Sequence, residues 1–477
     1  MLRKPFAHFS VALFLSVFQS IGIFAQLPYT EELYATRSER DINYGSATNY
    51  AGNEVQLFVD LYKPVGDANL NRPLIVLVHG GAWIGGNRND NDIQNLAPRF
   101  ASRGFVVASI SYRLGFHPSP AGGSNTITCS AVTNEGNCVY PADSNEVVRA
   151  IYRGMQDVKG AIRFMKGRAE IDSVCRENVY LAGVSAGGFN SLAAAFLDVP
   201  SEKPASAYAL SNAPGPSATL NYCHAFFNST GAPINRSRPD LGSIDGAIAL
   251  NGYDAKVKGI ANFFGATLGN LFLSSDGTAP LLYLFHQTSD VVVNCSTAPI
   301  LSDMSYNCLD PFGFLGCTHI WNMPRSSGSC TLNAWAASSL NANDVFNAVV
   351  ENGSPNCLQD PAGHSILSPS IRVDEISTFF AQRISDTEAA SCQSLLNISP
   401  SAEKNLHILY IEGRLQVNCA KNVIDCSSYD LSGRRIHLNE SWENQTLSIP
   451  INALNKGSYF SIITFSNGEK RLIRWNV

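Results

Sequence analysis

The sequence predicts an α/β fold with a mostly parallel central sheet flanked by helices, followed by a small C-terminal all-β sandwich domain. Through most of the chain, short apolar runs that suit buried strands alternate with segments of helical periodicity, the pattern of βαβ units. After about residue 400, alternating strand patterns follow one another without an intervening helix. We therefore expect an α/β domain at 26–390, a linker at 391–400 and a β-sandwich at 401–477.

Composition excludes several classes of protein. Of the 477 residues, 45% are hydrophobic and 15% are charged, which is too apolar and too weakly charged for a disordered chain. The 34 Lys and Arg residues against 39 Asp and Glu give a net charge of -5 and leave no basic patch. We therefore expect no nucleic-acid partner.

The first 25 residues have the pattern of a signal peptide. Arg3 and Lys4 precede an apolar stretch that closes on the small residue Ala25, so cleavage is expected near Ala25. An uncleaved anchor is the alternative, but polar residues interrupt the run, and no other stretch is apolar enough to cross a bilayer. Loss of Arg3 and Lys4 takes the net charge from -5 to -7.

The twelve cysteines of an exported chain predict disulfide bonds. A zinc site at Cys308, Cys317 and His319 is a weaker alternative, because the tight C-x2-4-C spacing of structural zinc sites is absent. We therefore expect no metal. Cysteines that stand near one another in sequence are Cys129 with Cys138, Cys419 with Cys426, and the group Cys295, Cys308, Cys317 and Cys330, whose three connectivities the sequence leaves open.

The elements of the first half follow from apolar spacing. Apolar residues at every second position predict a strand at 55–61 with one buried face, ended by Lys63 and Pro64. The runs 74–78 and 105–110 suit strands buried on both faces. Between them, 93–103 has helical spacing and ends before Gly104, a suitable helix terminator.

The clearest helix follows Asp143, which with Glu146 predicts a capping box. A strand is then expected at 179–182, a helix beginning near Ser191, a strand at 281–285 and a helix at 373–380. The helix after Asp143 carries six apolar residues three and four apart, which predicts a core-facing side made of Val147, Ile151, Met155, Val158, Ile162 and Met165.

Residues 183–187 form a G-x-S-x-G pattern between a predicted strand and a predicted helix. A sharp strand-to-helix turn forces the central serine into a strained conformation and needs glycines where side chains would collide. Ser185 is therefore the candidate nucleophile, and the amide of Ala186 would point toward a developing oxyanion. The alternative is an ordinary glycine-rich turn.

A serine nucleophile needs a base, and the base needs an acid that orients it. His364, in a loop late in the chain, is the best candidate base, and His286 at the end of a strand is its nearest competitor. Asp290 follows the 281–285 strand and is the candidate acid. The chain order Ser185, Asp290, His364 is one of the known orders for such triads. Fallback acids are Asp303, Asp310 and Asp360.

Residues from about 50 to 380 resemble the α/β-hydrolase superfamily, in its carboxylesterase and lipase-like branch. The segment 79–83 (HGGAW) resembles the oxyanion-loop motif, 111–114 (SYRL) a strand-end motif of esterases, and 183–187 the nucleophile elbow. The resemblance implies an oxyanion hole made by the backbone amides of Gly80, Gly81 and Ala186. It also implies that Trp83 packs beside the acyl site, and that no cofactor is needed.

These observations indicate a secreted serine carboxylesterase acting on an ester, with polysaccharide-linked esters and aliphatic polyesters both conceivable. Three insertions, at 116–140, about 205–245 and 295–330, are expected to build the rim and lid of its pocket. A prolyl-oligopeptidase-like serine peptidase and a catalytically silent surface adhesion module are the alternatives.

The last eighty or so residues resemble the C-terminal sorting domain of type IX secretion. The Y-D-x-x-G turn of that domain is matched at 429–433, and its L-x-x-G-x-Y strand at 454–459. The resemblance implies export across an outer membrane, with the type IX machinery as partner and a secreted or cell-surface location. A carbohydrate-binding or adhesion sandwich is the alternative.

Overall fold

A computed structural model describes residues 27–117, 141–214, 235–269, 279–303, 323–353 and 358–384, and eight strands with a few adjoining residues between 406 and 476. Its strands up to residue 384 are β1 (Ala35–Thr48), β2 (Glu54–Val65), β3 (Arg72–Val78), β4 (Val106–Ile110), β5 (Val174–Val184), β6 (Gly259–Phe263), β7 (Leu281–Gln287), β8 (Thr297–Pro299), β9 (Arg325–Ser327) and β10 (Val345–Val350). Its α-helices are α1 (Asn91–Ser102), α2 (Ser144–Gly167), α3 (Ala169–Asp172), α4 (Ala186–Phe196), α5 (Ser329–Ser339) and α6 (Pro369–Ala381).

Eight of these strands form one sheet in the order β1-β2-β4-β3-β5-β6-β7-β10. The pairs β1 with β2 and β2 with β4 are antiparallel, and every other pair in the sheet is parallel. Apolar residues of α2 and α4 cover one face of the sheet, and those of α1 and α6 cover the other. The expected α/β-hydrolase fold class is confirmed.

Most expected elements are present, with one displaced boundary. The strands expected at 55–61, 74–78, 105–110, 179–182 and 281–285 correspond to β2, β3, β4, β5 and β7. The helix expected near Ser191 begins five residues earlier, at Ala186, so the expected boundary was wrong. The helix starts there because Ser185 leaves the strand directly into the first helical turn, with no loop between them.

Helix α2 confirms the expected core-facing side, since all six apolar residues named for it are buried. Asp143 is its N-cap and accepts from the backbone N–H of Asn145. Glu146 was expected to complete a capping box, but its carboxylate accepts from the backbone N–H of His117 instead. Asp143 thus caps the helix through its own side chain, and Glu146 ties the chain at His117 to the helix.

The polar side of α2 is also covered, which periodicity did not predict. Arg149, Gln156 and Arg163 donate to backbone carbonyls of residues lying between 206 and 248. The described parts of the insertion at about 205–245 therefore pack along α2. Long polar side chains hold this segment because unpaired buried carbonyls would be costly.

The last described strands are β11 (Leu406–Ile411), β12 (Arg414–Cys419), β13 (Val423–Asp430), β14 (Arg435–Ile436), β15 (Ser441–Glu443), β16 (Thr446–Pro450), β17 (Ser458–Phe465) and β18 (Lys470–Asn476). They form two four-stranded sheets, β11-β12-β16-β15 and β14-β13-β17-β18, whose pairings are antiparallel. Leu447, Ile449 and Ile463 are fully buried. The expected all-β block is confirmed at the level of its strands.

One disulfide is described, between Cys295 and Cys330, with the Cα atoms 5.1 Å apart. It gives Cys295 its partner among the pairings that the sequence left open. The expected signal peptide, the pair Cys129 and Cys138, and the alternative zinc ligands at 308–319 lie outside the described residues. Within the part of the chain that is described, no helix is both long and apolar enough for a membrane span.

Candidate active site

Ser185 lies at the turn where β5 passes directly into α4. Its backbone has φ 53° and ψ -119°, a conformation that L-residues rarely adopt. A Cβ atom on Gly183 would lie 2.3 Å from the carbonyl oxygen of Gly187, and one on Gly187 would lie 2.2 Å from that of Val78. Glycine is therefore required on both sides of Ser185, and the serine is presented at the carboxyl end of β5.

The three residues expected to form a triad are brought together. The Oγ atom of Ser185 lies 2.9 Å from Nε2 of His364, and Nδ1 of His364 lies 2.6 Å from Oδ2 of Asp290. Because a carboxylate only accepts, Nδ1 carries the proton and donates it to Asp290. Nε2 then holds the lone pair that can accept the proton of Ser185.

Asp290 is buried, and both of its carboxylate oxygens accept hydrogen bonds. Its Oδ1 atom accepts from the backbone N–H groups of Val292 and Val293, at 2.8 and 2.9 Å. Burial by itself raises the pKa of Asp290, but the charge and hydrogen bond of His364, together with His286, outweigh it and lower the pKa below its ordinary value. The carboxylate form is thus stabilised beside the imidazole that it orients.

The loop 79–86 passes over the nucleophile. A Cβ atom on Gly80 would lie 3.3 Å from Cβ of Ser185, so the backbone of Gly80 runs directly beside it. Gly81 has φ 108°, and a Cβ there would lie 2.2 Å from the carbonyl oxygen of Gly85. Ala186 is the first residue of α4, where backbone N–H groups have no partner within the helix. Gly80 and Gly81 line the cleft together with Ser185, and Ala186 follows Ser185 in the chain.

His79 supports this loop. Its Nδ1 donates to the carbonyl oxygen of Gly80 at 2.7 Å, and its ring stacks on Tyr112 with centroids 4.4 Å apart. Burial lowers the pKa of His79, which favours the neutral imidazole. His79 thus shapes the loop.

Trp83 packs against α4, the helix that begins directly after Ser185. Its indole N–H donates to Oδ1 of Asn190 at 3.0 Å, and its ring packs edge-on against Phe189. Only 3% of the residue is exposed, and it does not line the cleft described at Ser185. The structure places Trp83 in the packing between the loop 79–86 and α4, and its expected place beside the acyl site stays a prediction.

A cleft of about 170 Å³ opens at Ser185 and His364. Three of the residues that line it were not identified from the sequence: Asp90, Asp92 and Phe264. The ring of Phe264 lies 4.3 Å, centroid to centroid, from that of His364. Burial raises the pKa of Asp92, whose carboxyl group faces the cleft near His364. An acidic wall of this kind disfavours an anionic group in the cleft.

Asp92 could not be singled out from sequence because it resembles any acidic residue in the first turn of a helix. Phe264 directly follows β6, a strand that the apolar pattern did not reveal. As for metals, the described residues contain no group of three or more His, Cys, Asp or Glu side chains placed to hold an ion.

One family model matches the sequence. It is described as BD-FAE and matches residues 59–121, which span most of β2, all of β3 and β4, and the loop 79–86. The match therefore includes two expected oxyanion-hole residues, Gly80 and Gly81. It supports a carboxylesterase-type hydrolase. A search of curated proteins finds no match.

Solved structures of esterases are distantly similar. A truncated carbohydrate esterase from gut microbiota is 14% identical, with 76% of this chain and 100% of that chain covered and a TM-score of 0.38. Esterase 2 of Thermogutta terrifontis, phosphoramylated by tabun, is 14% identical, with 73% and 94% covered and a TM-score of 0.36. A bifunctional GH43-CE protein of Bacteroides eggerthii is 16% identical, with 74% and 35% covered and a TM-score of 0.36. At these sequence identities and TM-scores, the similarity to solved structures says nothing about the activity of this chain.

Proposed function

We propose that this protein is a serine carboxylic-ester hydrolase that works through Ser185, His364 and Asp290. The observation that carries the proposal is the continuous pair of hydrogen bonds from Ser185 Oγ to His364 Nε2, at 2.9 Å, and from His364 Nδ1 to Asp290, at 2.6 Å. Nucleophile, base and orienting acid in this geometry are the parts that acyl transfer needs. The BD-FAE match adds independent support.

The geometry gives each residue a step. Ser185 Oγ attacks the ester carbonyl carbon while His364 Nε2 takes the hydroxyl proton, and the tetrahedral oxyanion accepts from the backbone N–H groups near Ser185. His364 then gives its proton to the leaving alcohol oxygen as the C–O bond breaks, which leaves an acyl-enzyme. Water attacks this acyl group, His364 takes the proton of the water and returns it to Ser185, and the carboxylic acid is released.

The cleft favours esters without an anionic group near the reacting carbonyl. Asp90 and Asp92 line it together with Ser185. Among the residues that line it, the only side chains that can carry a positive charge are those of His364 and the buried His79. Polysaccharide-linked esters and aliphatic polyesters, both uncharged, satisfy this condition. A hemisuccinate ester would bring its own carboxylate against Asp92 and is expected to react slowly.

We further propose that the protein is exported. Support comes from the signal-peptide pattern of residues 1–25 and from the two turn and strand motifs at 429–433 and 454–459, which resemble those of type IX sorting domains. The strands β11–β18 are in keeping with a small all-β domain of that kind. The location proposed is secreted or cell-surface.

Hydrolysis of p-nitrophenyl esters from acetate to palmitate tests the proposed activity. We expect Ser185→Ala to lower kcat by at least about 10⁴-fold and to abolish labelling by a fluorophosphonate probe. Ser191→Ala is a matched control, because this buried serine of α4 makes no side-chain hydrogen bond within the described residues. A wild-type protein that neither hydrolyses these esters nor reacts with the probe would contradict the proposal.

A further inference from the structure

A second histidine contacts the acid of the triad. His286, which the sequence offered as the nearest competitor of His364 for the catalytic base, lies near the end of β7 and is completely buried. Its Nε2 atom lies 2.7 Å from the carbonyl oxygen of Val293 and 3.3 Å from Oδ2 of Asp290. Both neighbours are acceptors, so Nε2 carries a proton and faces both of them.

The other ring nitrogen of His286 has a fixed partner as well. Nδ1 lies 3.2 Å from Oγ of Ser329 and 3.4 Å from its backbone N–H, which donates to it. The side-chain amide of Asn262 donates to the same Ser329 Oγ at 3.2 Å, so the hydroxyl is free to donate onward to Nδ1. All of these bonds run in one direction, from Asn262 through Ser329 to His286, and they hold one neutral tautomer.

Ser329 is itself held in place. It is the first residue of α5, and the next residue, Cys330, is joined by a disulfide to Cys295. The backbone N–H of Cys330 also donates to the carbonyl oxygen of Cys295 at 2.8 Å. The start of α5 is thereby fixed to the chain that follows Asp290, and the position of Ser329 relative to His286 is fixed with it.

From this geometry we infer that His286 is a positioning residue, which orients the Asp290 carboxylate and through it His364. Two backbone N–H groups hold Oδ1 of Asp290, but Oδ2 must face the imidazole of His364. The N–H of His286 approaches Oδ2 from a second side and limits rotation of the carboxyl group about its bond to Cβ. The inference rests on the proposed esterase function, because it concerns the same triad.

Steady-state kinetics on p-nitrophenyl butyrate test this role with two substitutions. His286→Leu removes the donor, and we expect kcat to fall at least tenfold while KM changes less than twofold, because substrate contacts are untouched. His286→Gln retains a side-chain N–H and is expected to recover at least a third of the wild-type kcat. If His286 only stabilised the fold, the two variants would have the same kcat once each is corrected for its folded fraction.

Tyr283→Phe is the matched control, since it removes a different, partly buried hydrogen bond from the same strand, the one to Glu375. We expect its kcat to stay within twofold of wild type. If His286→Leu does not fold, Ser329→Ala decides, because it removes the hydroxyl that donates to Nδ1 of His286, leaves only the longer backbone N–H contact to that atom, and is expected to lower kcat severalfold. Wild-type kcat in every folded variant of His286 and Ser329 would overturn the inference.

The same experiment separates this inference from the proposed function. Esterase activity that depends on Ser185 but not on His286 would overturn the positioning role alone. A wild-type protein without esterase activity or fluorophosphonate labelling would instead overturn the proposed function on which the role rests.

Discussion

At the scale of single residues, Asp290 links catalysis to the pH dependence of stability. Burial alone raises its pKa, but His364 and His286 together lower it below the ordinary value of 3.8. A carboxyl group with a lowered folded-state pKa stabilises the fold above its unfolded pKa, and this contribution is lost as pH falls through the folded value. The contribution is therefore complete near neutral pH and disappears in acid.

Asp290→Asn makes this contribution measurable. The variant lacks the titrating group, so its free energy of unfolding should not include the acid-dependent loss that Asp290 causes. We expect the free energy of unfolding of the wild type to exceed that of the variant by more at about pH 6 than at about pH 3. Urea unfolding at each pH measures this difference. A difference that stayed constant, or grew, as the pH fell would contradict the lowered pKa.

Individual site residues differed in how far the sequence could reveal them. Ser185 was recognisable because a strained turn demands glycines at fixed positions around it. Asp290 and His364 could be proposed only from chain order and from their place after strands, because a lone aspartate or histidine in a loop carries no signal of its own. The contact of His286 with Asp290 depends on the side-chain packing behind β7, which no spacing in the sequence encodes.

At the scale of elements, the turn between β5 and α4 tolerates no side chain at Gly183. A Cβ atom there would lie 2.3 Å from the carbonyl oxygen of Gly187 and 2.6 Å from its carbon. These are backbone atoms, so relief requires the first turn of α4 to move, and Ser185 with it. Overpacking of this kind costs about 1–3 kcal/mol.

We therefore expect Gly183→Ala to lower the free energy of unfolding by about 1–3 kcal/mol and to reduce kcat by at least about 100-fold. Urea unfolding and p-nitrophenyl ester hydrolysis measure the two effects. Gly353→Ala is the matched control, because a Cβ atom at Gly353 meets nothing within 4 Å. Equal activity of the two variants would show that the turn can relax without displacing Ser185.

Elements were predictable from sequence where burial imposes a simple period. Strands β3, β4 and β7 are buried along their whole length and appear as short apolar runs. Strand β1 carries many exposed polar residues at the antiparallel edge of the sheet, and β6 is a five-residue run with Gly259 and Asn262 in it. Neither has the apolar period that a sequence-based assignment requires, so both were missed.

At the scale of the whole molecule, the polar side of α2 shows why pattern alone underestimated burial. Arg149, Gln156 and Arg163 would ordinarily mark a solvent-facing side of a helix, yet each is nearly fully buried. Carbonyls of a distant segment accept from them, so the burial comes from tertiary contacts with residues 206–248. A periodic pattern reports which side of a helix is apolar, and leaves open whether a later segment covers the other side.

The eight-stranded sheet and the strands β11–β18 are separate hydrogen-bonding units in the described residues. No strand from β11 to β18 pairs with the eight-stranded sheet that carries the site. Removal of residues 401–477 therefore breaks no backbone pairing of that sheet. Because Ser185, Asp290 and His364 all precede residue 384, we expect the shortened chain to keep a kcat within about twofold of the full chain.

Export should respond differently to the same truncation. If residues 401–477 are a type IX sorting domain, the full chain expressed in a host with that machinery will reach the cell surface or the medium, and the shortened chain will stay in the periplasm. Fractionation followed by fluorophosphonate labelling of Ser185 measures where active enzyme accumulates, and a chain without residues 1–25 is the control for entry into the periplasm. Unchanged export of the shortened chain would refute the sorting role and favour a binding or adhesion role for β11–β18. Periplasmic retention with full activity would instead assign catalysis and export to separate parts of the molecule.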